Sequence, residues 1–263
     1  MPAAAARSTA AKGSPVAGLV WTLVRTDFKT RYHGTLSGFV WALLKPIAMF
    51  VVLQAVFSVI FAQDAHYRSN LIVGLFLWDF FAEGTRTGMV ALHARGFLLT
   101  RARCPSWILV VTALSNAVIT LLVFGVVIVV SLALGGKVPS PAGIAHFAAY
   151  LGGLVLVVAG ISLGSSVLFL RYRDLNQVWD VALQAGFFVT PTIYPLDILP
   201  ERLHWLLYLW APTPFIQFSR SVLVDGVVPG ARAHLVLAAG SVLVLGAGVL
   251  VFRRLAPRAA EYL

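Results

Sequence analysis

Three ionisable residues stand at helical spacing inside an apolar stretch: Asp79, Glu83 and Arg86, at i, i+4 and i+7, fall on one side of a helix. Charges at membrane depth are costly and mark sites of function by default. Two kinds of chemistry fit them. A proton relay needs acidic groups on facing helices, and the other long apolar stretches offer only Asp180. A self-neutralising cluster, Glu83 with Arg86, would instead lock its helix against the neighbours and transport nothing.

Other chemistry is excluded by what the chain lacks. Its single cysteine, Cys104, forbids an internal disulfide framework and any multi-cysteine metal site, and the six histidines are scattered, so no cofactor or metal is expected in this chain. Gly135-Gly136-Lys137 runs into Val138-Pro139 rather than a P-loop, so any ATP energy would have to come from another subunit. The formal charge of +10 does not point to nucleic acid, because the basic residues edge the apolar runs instead of forming one block.

The elements that must position these groups are membrane helices. With 59% hydrophobic and 11% charged residues and a mean hydropathy of +0.88, the chain lies outside the range of soluble globular proteins. Apolar runs predict six spans, at about 36–61, 71–92, 105–134, 144–170, 175–194 and 235–252. Both termini then share one side. Placing them in the cytoplasm puts thirteen Lys/Arg inside and five outside, the latter being Arg68, Lys137, Arg202, Arg220 and Arg232.

Residues 1–13 read as a disordered cytoplasmic tail, and residues 14–33 as an amphipathic helix in the interface plane. Ser14 would cap it with Pro15 at the first turn; Trp21 lies in the same segment, and Arg25 and Lys29 take its polar side. Asp27 projects from the apolar arc, either pairing with Arg31 four residues on or meeting a partner subunit. The cytoplasmic turns hold His93, Arg95, Phe97, Arg101 and Arg103 in one segment, and Arg171, Arg173 and Asp174 in the other. They read as topogenic charges, with Asp174 capping the next helix, or as a docking surface for a cytoplasmic partner. Four Gly-x-x-x-Gly pairs are a weak packing signal, but small residues at 160–166 would permit close approach there.

After the fifth span the pattern breaks. Pro191-Thr192-Ile193-Tyr194-Pro195 ends it, and two short apolar runs follow, 203–210 and 215–224, bounded by Pro200, Pro212 and Pro214. At about 1.5 Å per residue each covers roughly half of a ~30 Å hydrocarbon core, which predicts a re-entrant pair at about 196–226. Irregular backbone at membrane depth lines a pathway or is buried in protein. The aromatic residues Trp205, Tyr208, Trp210, Phe215 and Phe218 would either touch a transported substrate or anchor this pair in the outer leaflet, and anchoring is the expectation.

The order of these pieces resembles a known family. Asp27-Phe28-Lys29-Thr30-Arg31-Tyr32 leading to Gly38-Phe39-Val40-Trp41, Lys45-Pro46, Gly74 to Trp78 with Phe80-Phe81, and Arg173-Asp174 are similar to the membrane subunit of ABC-2 type polysaccharide exporters. This is the O-antigen/teichoic acid permease (Wzm-like) family. The resemblance is densest at Thr190 to Pro195, continues through Pro212, Arg220 and Gly226, and reaches Ala260-Glu261-Tyr262-Leu263. Two departures stand out: Arg103-Cys104-Pro105 lacks the aromatic residue frequent before the third span, and Asp79 replaces an uncharged polar residue.

The resemblance implies an all-α integral membrane fold with an ABC-2 type transmembrane domain over 34–263. It implies a homodimer of this chain in the bacterial cytoplasmic membrane, two copies of an ATP-binding subunit carrying ATP and Mg, and a lipid-linked polysaccharide as substrate. The two cytoplasmic turns would transmit the ATPase motion. Sugars have apolar C–H faces and many hydroxyls, so a passage for them suits Trp179, Gln184, Phe187, Phe188, Thr190 and Tyr194 on the fifth span. Rival readings are an ABC-2 exporter of a small lipophilic molecule and a membrane-embedded glycan-lipid enzyme.

Overall fold

The computed structural model describes residues 15–32, 38–97 and 105–257, and its regular structure is helical, with no strand among the described residues. Pro15 opens α1 (Pro15–Tyr32), a position where its missing N–H has no intrahelical partner to lose. The expected cap Ser14 lies outside the described residues. α2 (Gly38–Ile60) carries Pro46 in its interior, and α3 (Tyr67–Ala94) follows a short turn. α4 spans Ser106–Leu134. Ser140 starts α5 (Pro141–Arg171) by accepting a bond from the Gly143 N–H at 3.0 Å, with Pro141 at the first position.

α6 (Leu175–Val189) ends earlier than its apolar run does. Thr190 precedes a proline and takes an extended ψ of 128°, as the steric demand of Pro191 requires. The helix is therefore 15 residues rather than the expected 175–194. A 3-10 turn (Leu196–Ile198) leads to two short helices, α7 (Glu201–Leu209) and α8 (Pro212–Arg220), each of nine residues and so about 14 Å long. A π turn (Ser221–Asp225) prolongs α8 and is stopped by Gly226 at φ 70°. α9 (Ala231–Leu255) closes the chain.

Four of these helices are long and apolar enough to cross a membrane: α2 over Leu43–Ile60, α4, α5 and α9. α3 has the length, 28 residues, but carries the charged row. It is also the hub. Leu71, Val73, Phe81 and Leu92 are fully buried, and α3 packs against α2, α4, α5, α6 and α8. A helix buried almost all round needs apolar residues on every face, which Leu71 to Trp78 supply.

Small residues set the closest contacts. A Cβ on Gly248 would fall within bonding distance of the Gly160 carbonyl, so α5 and α9 meet backbone to backbone. A Cβ on Gly84 would meet Val158 at 2.7 Å, and one on Gly88 would crowd Ser162, which fixes α3 on α5. α2 is different: Val51, Val56 and Val59 are exposed, and it rests on α3 with little else around it.

Candidate functional site

α3 and α6 bring the sequence-marked charges together. Arg86 Nε donates to Asp180 Oδ1 at 2.7 Å, and Asn176 Nδ2 steadies the other carboxylate oxygen at 3.4 Å. The charged row of α3, expected to neutralise itself through Glu83 and Arg86, thus has a partner on the facing helix. Asp79, Glu83 and Arg86 form one wall of a groove of about 500 Å³ between α2, α3 and α6. Lys45 of α2 and Gln184 and Phe187 of α6 complete it, with Trp78 among its apolar lining. The groove offers charged and amide groups beside aromatic faces. Among the described residues, no group of three or more His, Cys, Asp or Glu is placed to hold a metal ion.

The other channel candidates lie elsewhere. Trp179 Nε1 donates to Thr85 Oγ1 at 3.0 Å, and the indole packs with Phe81 and Trp210 at ring separations of 6.4 and 6.5 Å. Thr190 is fully buried. The Tyr194 hydroxyl donates to the carbonyls of Phe188 and Val189 at 3.0 and 3.2 Å, tying off the C-terminal end of α6. Phe188 is 68% exposed, outside the groove lining. Trp210 corrects the expectation of an outer-leaflet anchor: its ring lies 6.0 Å from Phe81 and occupies the space that a side chain on Gly186 would need. Phe215 is buried and Trp210 half-buried, while Trp205 remains largely exposed, as an anchor would be.

Arg220, read from the sequence as an outside charge and as part of the family resemblance, holds the broken stretch together. It is 5% exposed and donates three bonds: Nε to the Asn70 carbonyl at 2.9 Å, Nη1 to Pro191 O at 2.5 Å and Nη2 to Thr192 O at 2.9 Å. One guanidinium therefore satisfies the Pro191 and Thr192 carbonyls of the interrupted backbone and ties them to α3. A Cβ on Gly74 would stand 2.5 Å from Nη2, so the absence of a side chain there makes room for the cation. The signal that finds Arg220 is an ionisable residue inside a short apolar run.

At the opposite end of the bundle, Arg95 joins three segments. It donates to the Asp27 carboxylate of α1, and Nη1 donates to the Leu109 carbonyl of α4 at 3.0 Å. Arg95 is thus a partner of Asp27 that its local spacing did not offer. Burial raises the Asp27 pKa above its ordinary 3.8, and Arg95 opposes that shift. His93 meets Phe169 edge-on at 5.8 Å, which draws the end of α3 and the end of α5 together. Phe97 is exposed, as are Arg171, Arg173 and Asp174. Asp174 sits at the N-cap position of α6 without a side-chain cap bond, because its backbone is already helical, contrary to the expected capping role. Trp21, Arg25 and Lys29 are exposed on α1, while Arg101 and Arg103 lie outside the described residues and nothing is described of the Arg31 side chain.

Long apolar helices packed around a charged central one, with a proline-broken pair at one end, define a multi-pass membrane protein. Residues 18–224 match the ABC-2 type transporter family, and the chain belongs to it. It is 29% identical over 248 residues to the O-antigen export system permease protein RfbA of Myxococcus xanthus, covering 89% of this chain and 91% of that one. It is 24% identical over 246 residues to RfbA of Klebsiella pneumoniae, covering 93% and 95%. The polysialic acid transport protein KpsM of Escherichia coli is 21% identical over 239 residues, covering 89% and 92%.

Proposed function

We propose that this chain is the channel-forming permease subunit of an ATP-driven exporter that moves a lipid-linked polysaccharide across the cytoplasmic membrane. The observation that carries this reading is its near full-length similarity to relatives named for O-antigen export and polysialic acid transport. The groove between α2, α3 and α6 supports it, since amide and charged groups beside Phe187 and Trp78 suit hydroxyls and C–H faces alike. Six spans are counted when α3 and α6 are added to the four long apolar helices, and α7 and α8 form a re-entrant pair. Both termini are cytoplasmic on the distribution of Lys and Arg.

The uncovered apolar sides of α2 and α6, including Trp41, Val52, Val181 and Phe188, are where a second copy of the chain would pack, closing the groove into a passage. The ATP-binding subunits would push on the end of the bundle where Arg95 clamps α1 to α4 and where Arg171 and Arg173 are exposed. Deletion of the gene tests the reading. Lipid-linked glycan should collect on the cytoplasmic face and disappear from the surface; a normal surface glycan overturns the proposal.

A further inference from the structure

A second, polar cavity of about 580 Å³ lies at the end of the bundle away from α1, between the α2–α3 turn, the 3-10 turn and the two short helices. Its volume is within the roughly 300–1,000 Å³ usual for small-ligand sites. We infer that this pocket binds one neutral sugar unit of the exported glycan through Asp64, Asn70, Asp197, Tyr208, Gln217 and Phe218. The inference rests on the proposed function and adds to it a saccharide site separate from the groove.

Three observations select a neutral polyhydroxyl ligand. First, two amide residues, Asn70 and Gln217, line this pocket, and each carries a buried polar atom, Oδ1 and Nε2, without a hydrogen-bond partner. Buried polar atoms are almost always paired, and an amide can both donate and accept, as vicinal hydroxyls require. Second, Tyr208 and Phe218 line the same pocket with ring centroids 6.4 Å apart at 49°, giving apolar surface for C–H faces.

Third, charge argues against an ion. Three carboxylates, Asp64, Asp197 and Asp225, line the cavity and would repel a phosphate. The cation in the wall, Arg220, already points its N–H groups at the carbonyls of Asn70, Pro191 and Thr192. Lys137 bonds to His66 Nδ1 at 2.6 Å and to the Val224 carbonyl at 3.2 Å. No metal-holding cluster occurs among the described residues. These same bonds fix the walls, since the Arg220 fork ties α3, the proline turn and α8 into one frame, and preorganised walls favour binding.

The test uses the full-length chain with its ATP-binding partner in lipid nanodiscs. The probe is the strain's own surface glycan, cut from its lipid by mild acid and reduced to short oligosaccharides. Saturation-transfer NMR should show transfer to the protons of one sugar unit, weakened about tenfold by Gln217→Ala combined with Asp197→Ala. Arg202→Ala, outside the cavity lining, should bind as wild type. Transfer that is absent, or equal in wild type and the double variant, overturns the inference. The permease reading fails separately, if cells lacking the chain still display the glycan.

Discussion

Arg86 on α3 and Asp180 on α6, 94 positions apart in the chain, share a 2.7 Å ion pair on the margin of the groove. Their side chains are 40% and 41% exposed, so in water the pair would add about 1 kcal/mol or less. Its importance is positional. α6 makes few other contacts with the bundle besides those to α3, and the pair sets its rotation and with it the aim of Gln184 and Phe187.

Neutralising either member should therefore lower glycan export several-fold with a small change in thermal stability. Exchanging the charges, Arg86→Asp with Asp180→Arg, should recover much of it. Surface glycan measured against protein level decides the matter, and a double variant no better than the singles would show that the two residues do not act as a pair.

Arg220→Lys should be severe although the charge is kept. An ammonium on a flexible stem cannot reach three carbonyls in the plane that the guanidinium spans, and the residue is only 5% exposed. A loss of about 3 kcal/mol is expected. The measurement is the unfolding midpoint of the purified protein by fluorescence-detected size exclusion.

Gly248→Val should separate α5 from α9, with a cost of at least about 1–3 kcal/mol for overpacking. Gly246→Ala is the control, because a Cβ there meets nothing within 4 Å. Equal melting of the two variants would contradict the backbone contact.

The pH response of the α1 clamp follows from Asp27. Its pKa is raised in the folded protein, so the folded state holds more protons than the unfolded one above the ordinary 3.8. Stability from this group is highest at low pH and falls as pH rises through the folded value. Mild acid should then leave α1 docked, Asp27→Asn should be tolerated, and Arg95→Gln should loosen α1. Hydrogen exchange over α1 at pH 5 and pH 7.5 reads this directly.

The charged row of α3, the proline-bounded short helices and the helical start of the chain were legible because each is written in local spacing. What was not legible joins distant segments. Asp27 meets Arg95, 68 residues away, where a local reading offers Arg31. Trp179 and Thr190 share a helix or its edge with Gln184 yet turn toward α3 or inward, since apolarity alone does not distinguish a neighbour's face from a passage. The clamp made by Arg220 was not legible because its three acceptors are backbone carbonyls, which no residue type advertises.

The Gly160–Gly248 contact divides the molecule mechanically. Two helices touching through main-chain atoms have no cushion of side chains to slide on, so on the proposed function α5 and α9 would act as a stator. On the proposed function α2 and α6, held by side chains and one ion pair, would be the shutter. Probes attached to α9 should hold their distance to α5 throughout the ATP cycle, and the working stroke should be visible from α2.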